Sequence, residues 1–190
     1  MKKLNALFGT LAVLLAGSGA ANAAGPVTAQ LHVHGTILSD TCTFLFPTTV
    51  SGLNVNTTDY STATVGGKIG EAVNLGNITA NGCNTKTVTL KAQSNAQITG
   101  DAAKGKFTYT NKPVDAKDPL SFTVGYGAVG GATTGGVLKL DGSATEAFTP
   151  NSDNFNIPVT LNVLKQEQVD NIGAYAGDFS ATVTYTADFS

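Results

Sequence analysis

Arginine is absent from this 190-residue chain, and histidine and cysteine occur only twice each. Without guanidinium forks or a basic run, the chain is a poor match for nucleic acid or an anionic membrane. The two histidines, His32 and His34 in "HVH", share one face of a strand, a spacing that some zinc enzymes use. Catalytic zinc needs a third protein ligand, and no further histidine or nearby cysteine pair supplies one. A Ser-His-Asp triad would have to be built on the same first segment, although catalytic bases are held by rigid packing. No catalytic constellation, metal site or cofactor is expected, and the chain reads as a non-enzyme.

Long apolar runs are also missing beyond the first residues. "MKKLNALFGTLAVLLAGSGAANA" opens with two lysines, has an apolar stretch from Ala6 to Ala16, and ends in Ala21-Asn22-Ala23. That is the layout of a secretory signal peptide over residues 1–23, of bacterial style, and its apolar run is short for a bilayer span. Its removal takes Lys2 and Lys3 and leaves nine lysines against thirteen acids, a net charge of −4. The remaining length suits one domain. Cys42 and Cys83, an even count in an oxidising compartment, are expected to form one disulfide. A bridge closing such a loop is worth roughly 4 kcal/mol in the chain-entropy model. A redox-active pair would want a C-x-x-C spacing, which is absent.

What the sequence has is threonine, glycine and asparagine in short alternating runs, which favour β structure. Strands are predicted over 30–38, 41–46, 72–80, 87–92, 106–110, 120–129, 136–140, 155–164 and 179–189. Turn chemistry separates them: "SGLNVNTTDYSTATVGG", "NGCN", "NKPVDAKDP", "GGATTGG", "DGS" and "TPNSDN". Many short strands with frequent turns make a sandwich or barrel. The one stretch suited to a helical turn is "KQEQVDNIGAYAG".

Some motifs dissolve on inspection. "GYGAVG" places Gly125, Gly127 and Gly130 in a dinucleotide-binding pattern, but glycine-rich loop and strand follow where a helix is required. A hairpin is expected there. "VGGKIG" around Lys68 lacks the first glycine and the metal-binding hydroxyl of a phosphate loop, so Lys68 reads as a loop lysine. "NTT" (56–58) and "NIT" (77–79) are glycosylation sequons by pattern only.

The segment after the signal peptide alternates: Val27, Ala29, Leu31, Val33, Gly35 and Ile37 against Thr28, Gln30, His32, His34 and Thr36. The last residues do the same. Phe179, Ala181, Val183, Tyr185, Ala187 and Phe189 alternate with Ser180, Thr182, Thr184, Thr186 and Asp188. Period two marks a half-buried strand, and each of these has an apolar row that a single sandwich need not cover.

Four linked features resemble the subunits of chaperone–usher pili, or fimbriae, of Gram-negative bacteria, in particular type 1-like pilins. They are the alternating arm leading into "GTILSDTC", with Gly35 seven positions before Cys42; Cys83 following Cys42 by 41 residues; Gly177 fourteenth from the end; and Phe189 penultimate. The family's penultimate aromatic is usually Tyr, and before Cys83 it has larger apolar residues than Gly76 and Ala80.

The resemblance implies an all-β, incomplete immunoglobulin-like sandwich lacking its last strand. Residues 24–38 would be a donor-strand extension and 39–190 the pilin domain. Val27, Ala29, Leu31, Val33 and Gly35 would enter a neighbouring subunit's groove. Gly177, Phe179, Ala181, Val183, Tyr185, Ala187 and Phe189 would form the zipper that a periplasmic chaperone engages first, with the terminal carboxylate as anchor. An outer-membrane usher would then exchange chaperone for the next subunit. The implied role is a structural subunit of an adhesive pilus, exported through the periplasm to the cell surface. The alternative is a minor or receptor-binding pilin whose loops, 47–71 or 125–136, bind a host glycan.

Overall fold

A computed structural model describes residues 42–50, 53–114, 116–129 and 135–190. The expected signal peptide, the arm residues Val27, Ala29, Leu31, Val33 and Gly35, and the His32/His34 pair lie outside the described residues.

Among the described residues nearly all regular structure is β. The strands are β1 (Thr43–Leu45), β2 (Val73–Asn81), β3 (Val88–Ser94), β4 (Gln97–Ile98), β5 (Asp101–Lys106) and β6 (Thr108–Tyr109). They continue as β7 (Leu120–Tyr126), β8 (Gly136–Val137), β9 (Asp141–Phe148), β10 (Phe155–Lys165), β11 (Phe179–Ser180) and β12 (Val183–Phe189). One sheet runs β1-β2-β10-β7-β5-β4, with β8 attached to β7; a second is β12-β3-β9; β11 and β6 form a two-stranded ribbon. Every pairing is antiparallel.

Alternation decides which faces meet. On β3, Val88, Leu90 and Ala92 are buried, while Thr89 and Lys91 are half-covered and Gln93 is exposed. On β10, Phe155, Ile157, Val159, Leu161 and Val163 are buried, and Asn156 and Pro158 are exposed. These two rows, with Ile78, Ala80, Phe122 and Val124, belong to one core cluster. Pro158 has no N–H to give. It sits just beyond the end of the β7 ladder, where its carbonyl accepts from Gly127 N at 2.7 Å. Cys42 and Cys83, both buried, form the expected disulfide with Cα atoms 4.5 Å apart, joining the chain before β1 to the end of β2.

Several sequence expectations need correction. The run from Phe179 to Phe189 is two strands rather than one. β11 pairs with β6, the ladder stops at Ala181 and Thr182, and β12 then pairs with β3. Asn95 anchors the crossing: its N–H donates to Thr182 O at 3.0 Å and its side-chain oxygen accepts from Thr182 N at 3.2 Å. Strands β4, β5 and β9 were not anticipated, because "DAAKGK" and "DGSATEAF" carry too few large apolar residues to show a period. The 136–140 strand shrinks to β8, while Leu138 N and Leu140 N donate to Val124 O and Ala102 O.

The expected turn in "KQEQVDNIGAYAG" is a 3-10 helix at Ile172–Tyr175. A second helix, α1 (Thr57–Thr62), lies in a stretch expected to be loop. Its start was legible in chemistry: Asn56 caps it, accepting from Asp59 N at 2.7 Å. "GYGAVG" is at the β7–β8 hairpin as expected, with Gly125 opposite Val137.

Candidate binding groove

Among the described residues β12 is an edge strand whose only ladder is with β3, from Val183↔Ser94 to Phe189↔Val88. The pattern of bonds fixes which backbone groups are used. Ser190 and Thr87 exchange N–H···O bonds at 3.1 and 3.0 Å, and Thr182 O accepts from Asn95 N. In an antiparallel pair the bonded residues alternate. Thr184, Thr186 and Asp188 therefore turn their N–H and C=O toward β3. Val183, Tyr185, Ala187 and Phe189 turn theirs outward, and among the described residues no strand pairs with that outer edge. The residues with outward backbone groups are the same ones that carry the apolar row.

Beside this edge lies a cavity of about 210 Å³. Phe122 and Val124 of β7 and Leu161 of β10 are its floor, Val183 and Tyr185 one wall, and Pro47 to Val50 the other. Phe107 and Phe179 close one end; their rings meet edge to face at 4.9 Å. Phe122 reaches its place because residue 105 is glycine: a Cβ there would stand 2.3 Å from the Phe122 ring. No charged side chain is among the described residues lining the cavity. The nearest ion pair on β12, Lys91 to Asp188 at 2.5 Å, belongs to the alternate, polar row.

Toward Phe189 the two walls touch. Phe46 stacks on Tyr185 with ring centroids 5.6 Å apart and planes 5° from parallel. Phe44 meets Phe189 at 6.4 Å, and Phe44 also contacts Phe155 of the core. Burial alone pushes the Tyr185 hydroxyl up to about 12.

The structure brings four of the seven expected zipper residues together at the cavity: Phe179, Ala181, Val183 and Tyr185. Ala187 is half-buried and Phe189 is 43% exposed, both further along β12. Gly177 lies elsewhere. Its φ of +141° and its approach to Asn111, whose amide would be 2.8 Å from an added Cβ, make it a bend before β11 and not a wall of the cavity. The facing wall, Phe44, Phe46 and Pro47 to Val50, escaped the sequence reading. Its signal was present in "TFLFP", where two aromatics alternate before a ladder-ending proline. Among the described residues no group of three or more His, Cys, Asp or Glu could hold a metal ion.

No protein-family model matches the sequence, and no curated protein resembles it at the level of sequence. Solved structures do resemble it. One, from a chaperone–usher pilus studied for the uncoiling of its rod, aligns with a TM-score of 0.55 at 16% identity, over 90% of this chain and all of that one. The P pilus rod subunit PapA aligns with a TM-score of 0.51 at 17% identity, over 78% of this chain and 99% of that one. The likeness is one of fold: this chain is an immunoglobulin-like sandwich built as the rod subunits of chaperone–usher pili are.

Proposed function

We propose that this protein is a structural subunit of an adhesive chaperone–usher pilus and polymerises by donor-strand exchange. The observation that carries the reading is the seven-residue outer edge of β12 beside a cavity lined by uncharged side chains. Exposed edges are templates for further strands, and folded proteins ordinarily blunt them. Among the described residues the other end strands of the two larger sheets are short or irregular. β1 has three residues and β4 two, and β9 has two register shifts in its ladder with Thr145 engaged by Lys139 N at 2.9 Å.

The occupant is the arm of a neighbouring copy or related subunit. Val27, Leu31 and Val33 supply the aliphatic side chains, and Ala29 and Gly35 fit where space is short. Burying three aliphatic side chains is worth about 5–9 kcal/mol gross. Ladder hydrogen bonds add about 1 kcal/mol each, and ordering the arm subtracts. The contact is head-to-tail and does not close, so it generates a filament. Before assembly a periplasmic chaperone covers the edge, engaging Phe179, Val183, Tyr185 and Phe189, and an outer-membrane usher exchanges it for the next arm at the cell surface.

Deleting Val27–Gly35 tests the assignment. The truncated chain is expected to fold and bind chaperone through its intact groove, yet to fill no preceding subunit's groove and so to be unable to extend a fibre. Normal filaments from that variant, seen by electron microscopy, would refute it.

A further inference from the structure

The cavity reaches only part of β12. A strand of seven residues at about 3.3 Å each is about 23 Å long. The described lining stops at Tyr185, and beyond it Phe46 and Phe44 from the facing wall lie against Tyr185 and Phe189. The outward backbone groups of Ala187 and Phe189 are past this ring stack. An added strand pairing along the whole edge would bring its side chains beside Tyr185, whose ring the Phe46 ring now covers.

We propose that the Phe46–Tyr185 stack is an autoinhibitory clasp, holding the carboxyl-terminal half of the groove shut until an incoming arm displaces the Phe46 ring. The inference rests on the donor-strand reading and deepens it. The physical case has three parts. Parallel rings in offset contact attract beyond their buried area, and here they belong to opposite walls rather than to one. Phe46 itself follows the last residue of β1 and carries no ladder of its own, so its ring can swing without breaking a strand. Phe46 also stacks on Phe44 at 6.1 Å, but Phe44 has a second contact with Phe155 at 6.4 Å, and Phe155 one with Phe148 at 5.9 Å, so those core rings keep partners when Phe46 moves. A closed clasp also shortens the exposed template, which limits unproductive strand addition by a lone subunit.

The test compares the full mature chain with Phe46→Ala and Phe46→Leu, the latter retaining apolar volume should the alanine variant fail to fold. The probe is a fluorescently labelled peptide of residues 26–37, and its uptake is followed by anisotropy. Both variants are expected to take up the peptide about two- to tenfold faster than the parent, the range an aromatic pair contact represents. Uptake by the variants no faster than by the parent would overturn the clasp while leaving the donor-strand reading intact. Uptake by none of the three would overturn both.

Discussion

Lys165 shows how a single residue can be placed by partners that are distant in sequence. It is 2% exposed at the end of β10. Its ammonium donates to Tyr60 O at 3.0 Å and Ala63 O at 2.9 Å, the carbonyls closing α1, and lies 4.5 Å from the Tyr60 ring centre. Among the described residues no carboxylate forms an ion pair with it. The Tyr60 hydroxyl in turn donates to Glu167 O at 2.5 Å and accepts from Val169 N at 3.1 Å. Replacing Lys165 with Met leaves two carbonyls without their donor and removes the cation from the ring. A loss of about 2–4 kcal/mol is expected by urea denaturation. Asp118 gives a prediction in pH. Burial raises its pKa, but hydrogen bonds from Lys112 and Lys106 outweigh this and hold it below the ordinary value. A depressed carboxyl contributes stability that is present above its unfolded value of 3.8 and lost as pH falls through the lower folded one. Asp118→Asn should therefore flatten the acid limb of the stability profile below about pH 4 relative to the parent, as thermal melts across pH would show.

Among the elements, β12 has two kinds of residue that a proline scan separates. Thr186 gives its N–H to β3, whereas Ala187 turns its N–H to the open edge. Thr186→Pro should cost about 3 kcal/mol by removing a ladder bond. Ala187→Pro should change monomer stability by less than about 1 kcal/mol, since an outward position on an edge tolerates proline. That same variant should stop filament growth on its groove. Parity of this kind was legible in the sequence from the alternation after Phe179. The break at Ala181 and Thr182 was not, because period two continues straight through the point where the partner changes from β6 to β3. β9 was hidden for the opposite reason: an exposed edge of Asp, Gly, Ser and Thr gains little from alternation. The helix α1 was masked by its β-branched and polar composition, although Asn56 marked its start.

Across the whole molecule, half of the candidate groove was readable and half was not. The Val183 and Tyr185 wall follows from one strand's pattern. The floor of Phe122, Val124 and Leu161 and the opposing Phe46 come from three separate segments, and only the packing of the two sheets brings them together. The disulfide fastens the Phe44 wall to β2, and reducing it should cost roughly 4 kcal/mol and loosen that side of the groove. The central claim concerns the outward edge of β12, and residue-resolved amide hydrogen exchange before and after assembly tests it most directly. In the unassembled chain the amides of Val183, Tyr185 and Ala187 should exchange fast while those of Thr184 and Thr186 exchange slowly; in filaments all five should be slow. Fast exchange at Val183, Tyr185 and Ala187 that persists in the filament would contradict the account.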